Sequence, residues 1–268
     1  MLLKFWYIVK LVWIERMAYR MNFLLEVVSG IVSSLIVVFL WLAIYRSAGR
    51  ELIGGYTVAE MVTYLLGGGL INTFILSTAE NPETSQSIQD GTLSGLLIQP
   101  LSPYAVWFAR DFGNKAFFLV LGLASYVIVV FFFRDYLVLS SGSRYRLVFL
   151  ISILAAAVLQ FLLFEALSLL SFWVENTYGI RFTLRVIMEV VGGAIIPLSF
   201  FPSSLQTVFS FLPFPYVVYL PMRIFLGKIG PDQIVAEFVK EAGWIAALAL
   251  LNLYIWKKGI RQYLAMGD

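Results

Sequence analysis

Three glutamates, Glu26, Glu165 and Glu189, interrupt or flank long runs of apolar residues. An ionised carboxylate facing lipid is unfavourable, so each is expected to have a cationic partner or to border a water-filled cavity. Arg185 precedes Glu189 by four residues, the spacing at which side chains meet on one helix face, and Arg181 precedes it by eight. Glu26, Glu165, Arg185 and Glu189 are therefore candidates for ion pairing or gating. The chain has no His and no Cys, which removes the commonest general base, the thiol nucleophile, thiolate metal sites and disulfides. It also lacks a G-x-x-x-x-G-K-[ST] phosphate loop, because Gly67 to Gly69 lies in an apolar run with no Lys behind it. No ATP-hydrolysing site, catalytic residue, metal or cofactor is expected in this chain.

The elements that would hold these residues are set by composition. Hydrophobic residues make up 60% of the 268, charged residues 13%, and mean hydropathy is +0.87. A soluble domain is about 45–50% apolar and about 25% charged, so the excess belongs in a bilayer. The expected fold is an all-α membrane protein, a single transmembrane domain over residues 1–268. A net charge of +3 is too small to point to nucleic acid.

Six spans are predicted, at Phe23 to Tyr45, Val58 to Thr78, Ala116 to Phe133, Leu147 to Leu170, Thr183 to Phe200 and Glu241 to Trp256. The last is short and could begin a turn earlier. Small residues at Ser29, Gly30, Ser33 and Ser34, at Gly67 to Gly69, and at Gly192 and Gly193 are spaced for close backbone packing. Residues 1–20 are too interrupted by charge for a cleaved signal, with no small-residue cleavage site behind them, and are expected to be retained. On a helical wheel they leave one clear arc, Leu3, Tyr7, Leu11, Ile14 and Ala18, which suits either an interfacial helix or an extension of the first span.

Lys4, Lys10, Arg16 and Arg20 before the first span, and Lys257, Lys258 and Arg261 after the last, place both termini in the cytoplasm. Arg46 and Arg50, and Arg134, Arg144 and Arg146, would then face outward and oppose that rule in part.

Two connections are too long to be plain turns. In residues 80–115, predicted cytoplasmic, the stretch NPETSQSIQDG supplies a capping residue in Asn81, a first-turn Pro82, a Glu83 for the positive dipole end and a Gly91 for a left-handed stop. A polar helix from Pro82 to Asp90 is too short to stand alone in water and needs a surface to lie on, either a partner or this protein's own bundle. Behind it Leu93, Leu96, Leu97 and Ile98 form an apolar patch, and Ser102 with Pro103 opens the next helix. In residues 201–240, predicted outside, Pro202, Pro213, Pro215, Pro221 and Pro231 exclude one continuous helix while the segment stays largely apolar. Helical pieces that dip into the membrane and return fit both facts.

The same two connections carry a family likeness. IQDGTLSGLLIQPLSPYAVWFAR (Ile88 to Arg110) and IIPLSFFPSSLQTVFSFLPFPYVVYLPMRIFLGK (Ile195 to Lys228) resemble the permease subunits of bacterial type-2 ABC exporters, and the likeness covers essentially the whole chain. It implies an N-terminal interfacial helix, although this one is not cleanly amphipathic. It also implies six spans, a coupling helix in the first cytoplasmic loop, and extracellular re-entrant helices before the last span. On that pattern Pro82, Glu83, Gln86, Ile88, Gln89, Asp90 and Gly91 would dock a separate ATPase subunit, which would itself hold ATP and Mg. A second permease, identical or paralogous, and a hydrophobic or amphipathic cargo leaving the cytoplasm or inner leaflet complete the implied assembly, in the bacterial cytoplasmic membrane. Two other readings remain: a proton-driven secondary transporter using the three glutamates, and an intramembrane lipid-modifying enzyme relying on Asp, Glu or Lys.

Overall fold

The computed structural model describes residues 2–18, 20–138 and 143–265. In chain order these form α1 (Leu2–Met17), α2 (Arg20–Ala48), a hairpin of β1 (Leu52–Ile53) and β2 (Tyr56–Thr57), α3 (Val58–Leu76), α4 (Glu83–Gln89), α5 (Leu93–Leu97) and α6 (Pro103–Phe132). There follow α7 (Ser143–Leu169), α8 (Tyr178–Val191), α9 (Ser203–Ser210), α10 (Tyr219–Phe225) and α11 (Pro231–Ala265). Apart from the hairpin, every regular element among the described residues is helical.

Among the described residues, four helices are long and apolar enough to cross a bilayer: Leu25–Ala48, Val58–Leu76, Pro103–Phe132 and Tyr145–Phe172. They cover the first four expected spans. The expected fifth span, Thr183 to Phe200, is not one helix. Helix α8 starts five residues earlier and stops at Val191, because Gly193 takes a left-handed φ of 84° and Pro197 follows. Its 14 residues reach about 21 Å, short of the ~30 Å hydrocarbon core. The last helix is longer than expected, beginning at Pro231 rather than near Glu241, with Pro in its first turn and Asp232 at the positive dipole end.

Helix α3 is the central element. Met61, Tyr64 and Ile75 on it are fully buried. Its start is fixed by a reciprocal cap in which Thr57 Oγ1 accepts from Glu60 N at 3.2 Å and Glu60 Oε2 accepts from Thr57 N at 2.8 Å. The hairpin before it turns at Gly54 and Gly55, with φ of 58° and 83°, values that two-residue turns require of both central positions.

The glycine run of α3 seats the segment that precedes α11. A Cβ on Gly67 would lie 2.8 Å from Met222 Cε, and one on Gly68 would lie 3.1 Å from Val218 Cγ1, so α10 docks on bare backbone near the middle of α3. Tyr64 Oη donates to Gly193 O at 2.7 Å and Tyr219 N to Gly192 O at 2.9 Å, tying the end of α8 to the same place. From there the chain returns to the hairpin, where Lys228 Nζ meets Glu60 Oε1 at 2.8 Å and Gly55 O at 2.9 Å. Helix α9, by contrast, has no buried residue.

Helix α1 lies along the first half of α6, with Val9 and Val12 against Gly113 and Phe5 against Phe108 and Phe112. Its buried side is thus Phe5, Val9 and Val12, whereas Leu3, Tyr7 and Ile14 of the uncharged arc point outward, each more than half exposed. Arg16 Nε donates to Asn114 Oδ1 at 2.7 Å, and Arg110 bridges back to Glu15 at 3.1 Å.

Candidate functional site

Helix α4 is polar on every turn, yet much of it is buried. Its start is one residue later than expected, because Pro82 is the cap rather than a first-turn residue: Pro82 O accepts from Gln86 N at 2.7 Å, while Asn81, one residue before the cap, accepts from Glu83 N through Oδ1 at 3.3 Å. It ends where Gly91 adopts a φ of 75°. Seven residues cannot hold a helix in water, so the surroundings must.

Those surroundings are four other helices. Thr84 Oγ1 donates to Glu165 Oε2 of α7 at 3.0 Å. Glu83 pairs with Arg110 of α6. Just ahead of α4, Asn81 O accepts from Arg181 of α8 at 2.5 Å and Glu80 pairs with Arg185 of the same helix. At the other end Gly91 O accepts from Tyr263 Oη of α11 at 2.7 Å, and Gln89 Nε2 donates to Glu175 O. An apolar floor completes the seat: Ile88, 5% exposed, sits with Leu93, Trp107, Phe161, Leu169 and Phe172. Thr84 and Glu165 are both buried, so their contact matters more than it would on an open surface.

The residues expected to dock a partner therefore divide. Gln86, Gln89, Asp90 and Gly91 are exposed, while Pro82 and Glu83 are half-buried. Ile88 turns the opposite way and is unavailable to a partner, because the 3.6-residue period puts it on the same side as Thr84 and Ser85.

The titratable candidates also separate. Arg185 joins Glu80 and, through Nε at 3.2 Å, Glu189 Oε1, so one guanidinium links α8 to the approach to α4. Glu165, 5% exposed, has no ion pair among the described residues; its bond is to the Thr84 hydroxyl. Glu26 is exposed and lies apart from this cluster, lining a cavity of about 770 Å³ between α2, α3 and α6. Ser29, Ser33, Asn72, Thr73 and Ser125 give that cavity a polar stripe between aliphatic walls, and Arg185 reaches its edge.

Several participants were not legible beforehand. Arg110 and Tyr263 hold α4 although nothing in their local sequence marks them, and Arg181, noted only for its spacing from Glu189, bonds Asn81 O instead; each is a long-range contact. Glu241 of α11 is 1% exposed, and neither carboxyl oxygen has a partner among the described residues. Its place at the edge of the last apolar run, directly after Lys240, gave no sign that it would be buried. The hairpin, by contrast, was readable from Gly54-Gly55 between Ile53 and Tyr56.

Helices apolar and long enough to cross a bilayer, gathered around a small, firmly seated polar helix, mark a multi-pass membrane protein. The chain matches the model of the family described as ABC-2 family transporter protein over residues 7–267, and it belongs to that family. It is a permease of the ABC transporter type, a class of membrane component that works with an ABC ATPase. Among curated proteins, none matches.

Proposed function

We propose that this chain is the permease of an ATP-driven exporter and that α4 is the surface on which a separate ATPase subunit pushes. The observation that carries this is the seat of α4: bound to α6, α7, α8 and α11 on one side, it turns Gln86, Gln89 and Asp90 out on the other. A force applied there reaches four helices at once.

In this reading the α4 end of the bundle is cytoplasmic and the hairpin end external. Helices α1 and α11 bring both termini to the α4 end, with Lys4, Lys10, Lys257, Lys258 and Arg261 beside them. The chain crosses the bacterial cytoplasmic membrane six times as one domain. Helices α2, α3, α6 and α7 make four crossings; α8, extended by the turns after it, makes the fifth and α11 the sixth. The segment from α9 to α10 re-enters from outside, its tip resting on Gly67 and Gly68. Broken backbone at that depth is tolerated because protein covers it, and Val217, Val218 and Ile224 are fully buried.

Two such permeases, identical or paralogous, enclose the path, and two ATPase subunits with ATP and Mg drive it between inward-open and outward-open states. The cargo is hydrophobic or amphipathic, which suits a cavity combining aliphatic walls with a stripe of Ser, Thr and Asn.

Charge reversal on the outward face tests the docking directly. The pair Gln86→Arg with Asp90→Lys leaves the seat intact and should abolish copurification of the coexpressed ATPase in detergent. An undiminished complex would refute α4 as the docking surface.

A further inference from the structure

Beneath α4 lies a cavity of about 30 Å³, bounded by α4, α6, α7 and the turn that joins α3 to α4. Three of the residues lining it are at least nine-tenths buried, Thr78 at 6%, Trp107 at 3% and Glu165 at 5% exposure. Each carries a polar atom that has no partner among the described residues: Thr78 Oγ1, Trp107 Nε1 and Glu165 Oε1. The other Glu165 oxygen is the one that holds Thr84. Three residues that line one void thus each carry an orphaned polar atom, and a buried donor or acceptor left unmade costs roughly 1–3 kcal/mol.

The chemistry of the three atoms identifies what belongs there. The Trp107 indole N–H can only donate, and the Glu165 carboxyl oxygen is an acceptor when ionised. The Thr78 hydroxyl can do either. A metal or alkali cation would repel the indole N–H, whereas water accepts from it and still has two protons to give. About 10–15 Å³ of such space holds one water, and a stable buried water needs two to four polar partners, so this void has room for two and partners enough for one.

We propose that this cavity is a built water site, in which one or two water molecules accept from Trp107 Nε1, donate to Glu165 Oε1 and bond Thr78 Oγ1. The water joins α6 and α7 to the turn after α3, on the far side of the contact through which Glu165 holds α4. Glu165 is then a positioning residue: it is oriented by water from below and holds Thr84 above. The seat of α4 is a hydrated joint, able to tilt by exchanging water hydrogen bonds rather than by stripping them. Its consequence for transport rests on α4 being the docking helix; the water site itself does not.

The direct test is a high-resolution density map of the purified full-length chain in nanodiscs. A peak at about 2.6–3.2 Å from both Trp107 Nε1 and Glu165 Oε1 is expected, and an empty void overturns the proposal. A second test needs no map. Thr78→Val should raise amide exchange of residues 83–90 at least threefold, although its hydroxyl bonds no α4 atom among the described residues, and should have less than half that effect in a Glu165→Met background. Equal effects in the two backgrounds overturn the water link. Loss of the docking reading, seen as failure of the charge-reversed chain to release the ATPase, would leave both of these outcomes unchanged.

Discussion

Replacing Ile88 by Ala separates two roles that its sequence position confounds. If Ile88 is an anchor, as its 5% exposure among Leu93, Trp107, Phe161, Leu169 and Phe172 requires, truncation weakens the seat of α4 from the inside. Buried Ile→Ala changes cost about 2–5 kcal/mol through lost transfer energy and the cavity left behind. Helix α4 is only seven residues long, so that loss falls on local opening rather than on the whole bundle. At the lower bound, 2 kcal/mol is roughly a 30-fold rise in the open population. Hydrogen exchange of residues 83–90 in the full chain should therefore speed up about 30-fold or more in Ile88→Ala. In Ile88→Val, which costs about 0.5–1.5 kcal/mol, the rise should be roughly 2- to 13-fold. The reasoning fails if Ile88→Ala leaves exchange within twofold of the unaltered chain yet prevents ATPase copurification. That pattern would mean the side chain meets the partner, not the bundle.

Two further perturbations probe the opposite end. Gly193→Ala meets both a left-handed φ of 84° and a Tyr64 hydroxyl 2.7 Å from the new Cβ, so melting should fall by an amount corresponding to about 1–3 kcal/mol. Adding Tyr64→Phe should recover part of that loss if the hydroxyl contact dominates; no recovery assigns it to backbone strain. Lys228→Met removes the bond to Glu60, the bond to Gly55 O and a cation–π contact 4.6 Å from the Tyr56 ring. It should cost about 1–3 kcal/mol in thermal unfolding, largely restored by Lys228→Arg, and an unchanged midpoint in Lys228→Met would show that this tie does not hold the re-entering segment.

The sequence was most informative where structure is local. The start and stop of α4 could be read from Asn81, Pro82, Glu83 and Gly91 because capping acts within one turn. Ser102 and Pro103 announced α6 for the same reason, with Ser102 Oγ accepting from Ala105 N at 3.3 Å. The apolar runs of α2, α3, α6 and α7 were evident because length and hydropathy decide them. What failed to show is which way a short helix faces. The outward or inward turn of Ile88 depends on Trp107 and Phe161, which arrive from 19 and 73 residues away in the chain. The break at Gly192–Gly193 was hidden for a different reason: paired glycines serve close packing and helix stopping equally well, and only the partners Tyr64 and Tyr219 decide between them.

The arrangement of ties implies a direction of force. At the α4 end the bonds are many and polar, and they converge on one small element: Arg110, Glu165, Arg181, Arg185 and Tyr263 all end on α4 or on the residues flanking it. At the hairpin end the re-entering segment rests on α3 by apolar packing at Gly67 and Gly68, and its polar ties, Lys228 to Glu60 and Gly55 O, Ser199 to Gly54 O and Tyr219 N to Gly192 O, run to the hairpin and to the end of α8 instead. Polar bonds have fixed lengths and directions and so transmit a displacement, while apolar layers slide at little cost as long as they stay covered. A push on α4 would therefore move α6, α7, α8 and α11 together, and the yielding surface would be the glycine seat of α10 on α3. Motion would start where the chain is bonded most stiffly and be released where Gly67 and Gly68 offer Met222 and Val218 no side chain to catch on.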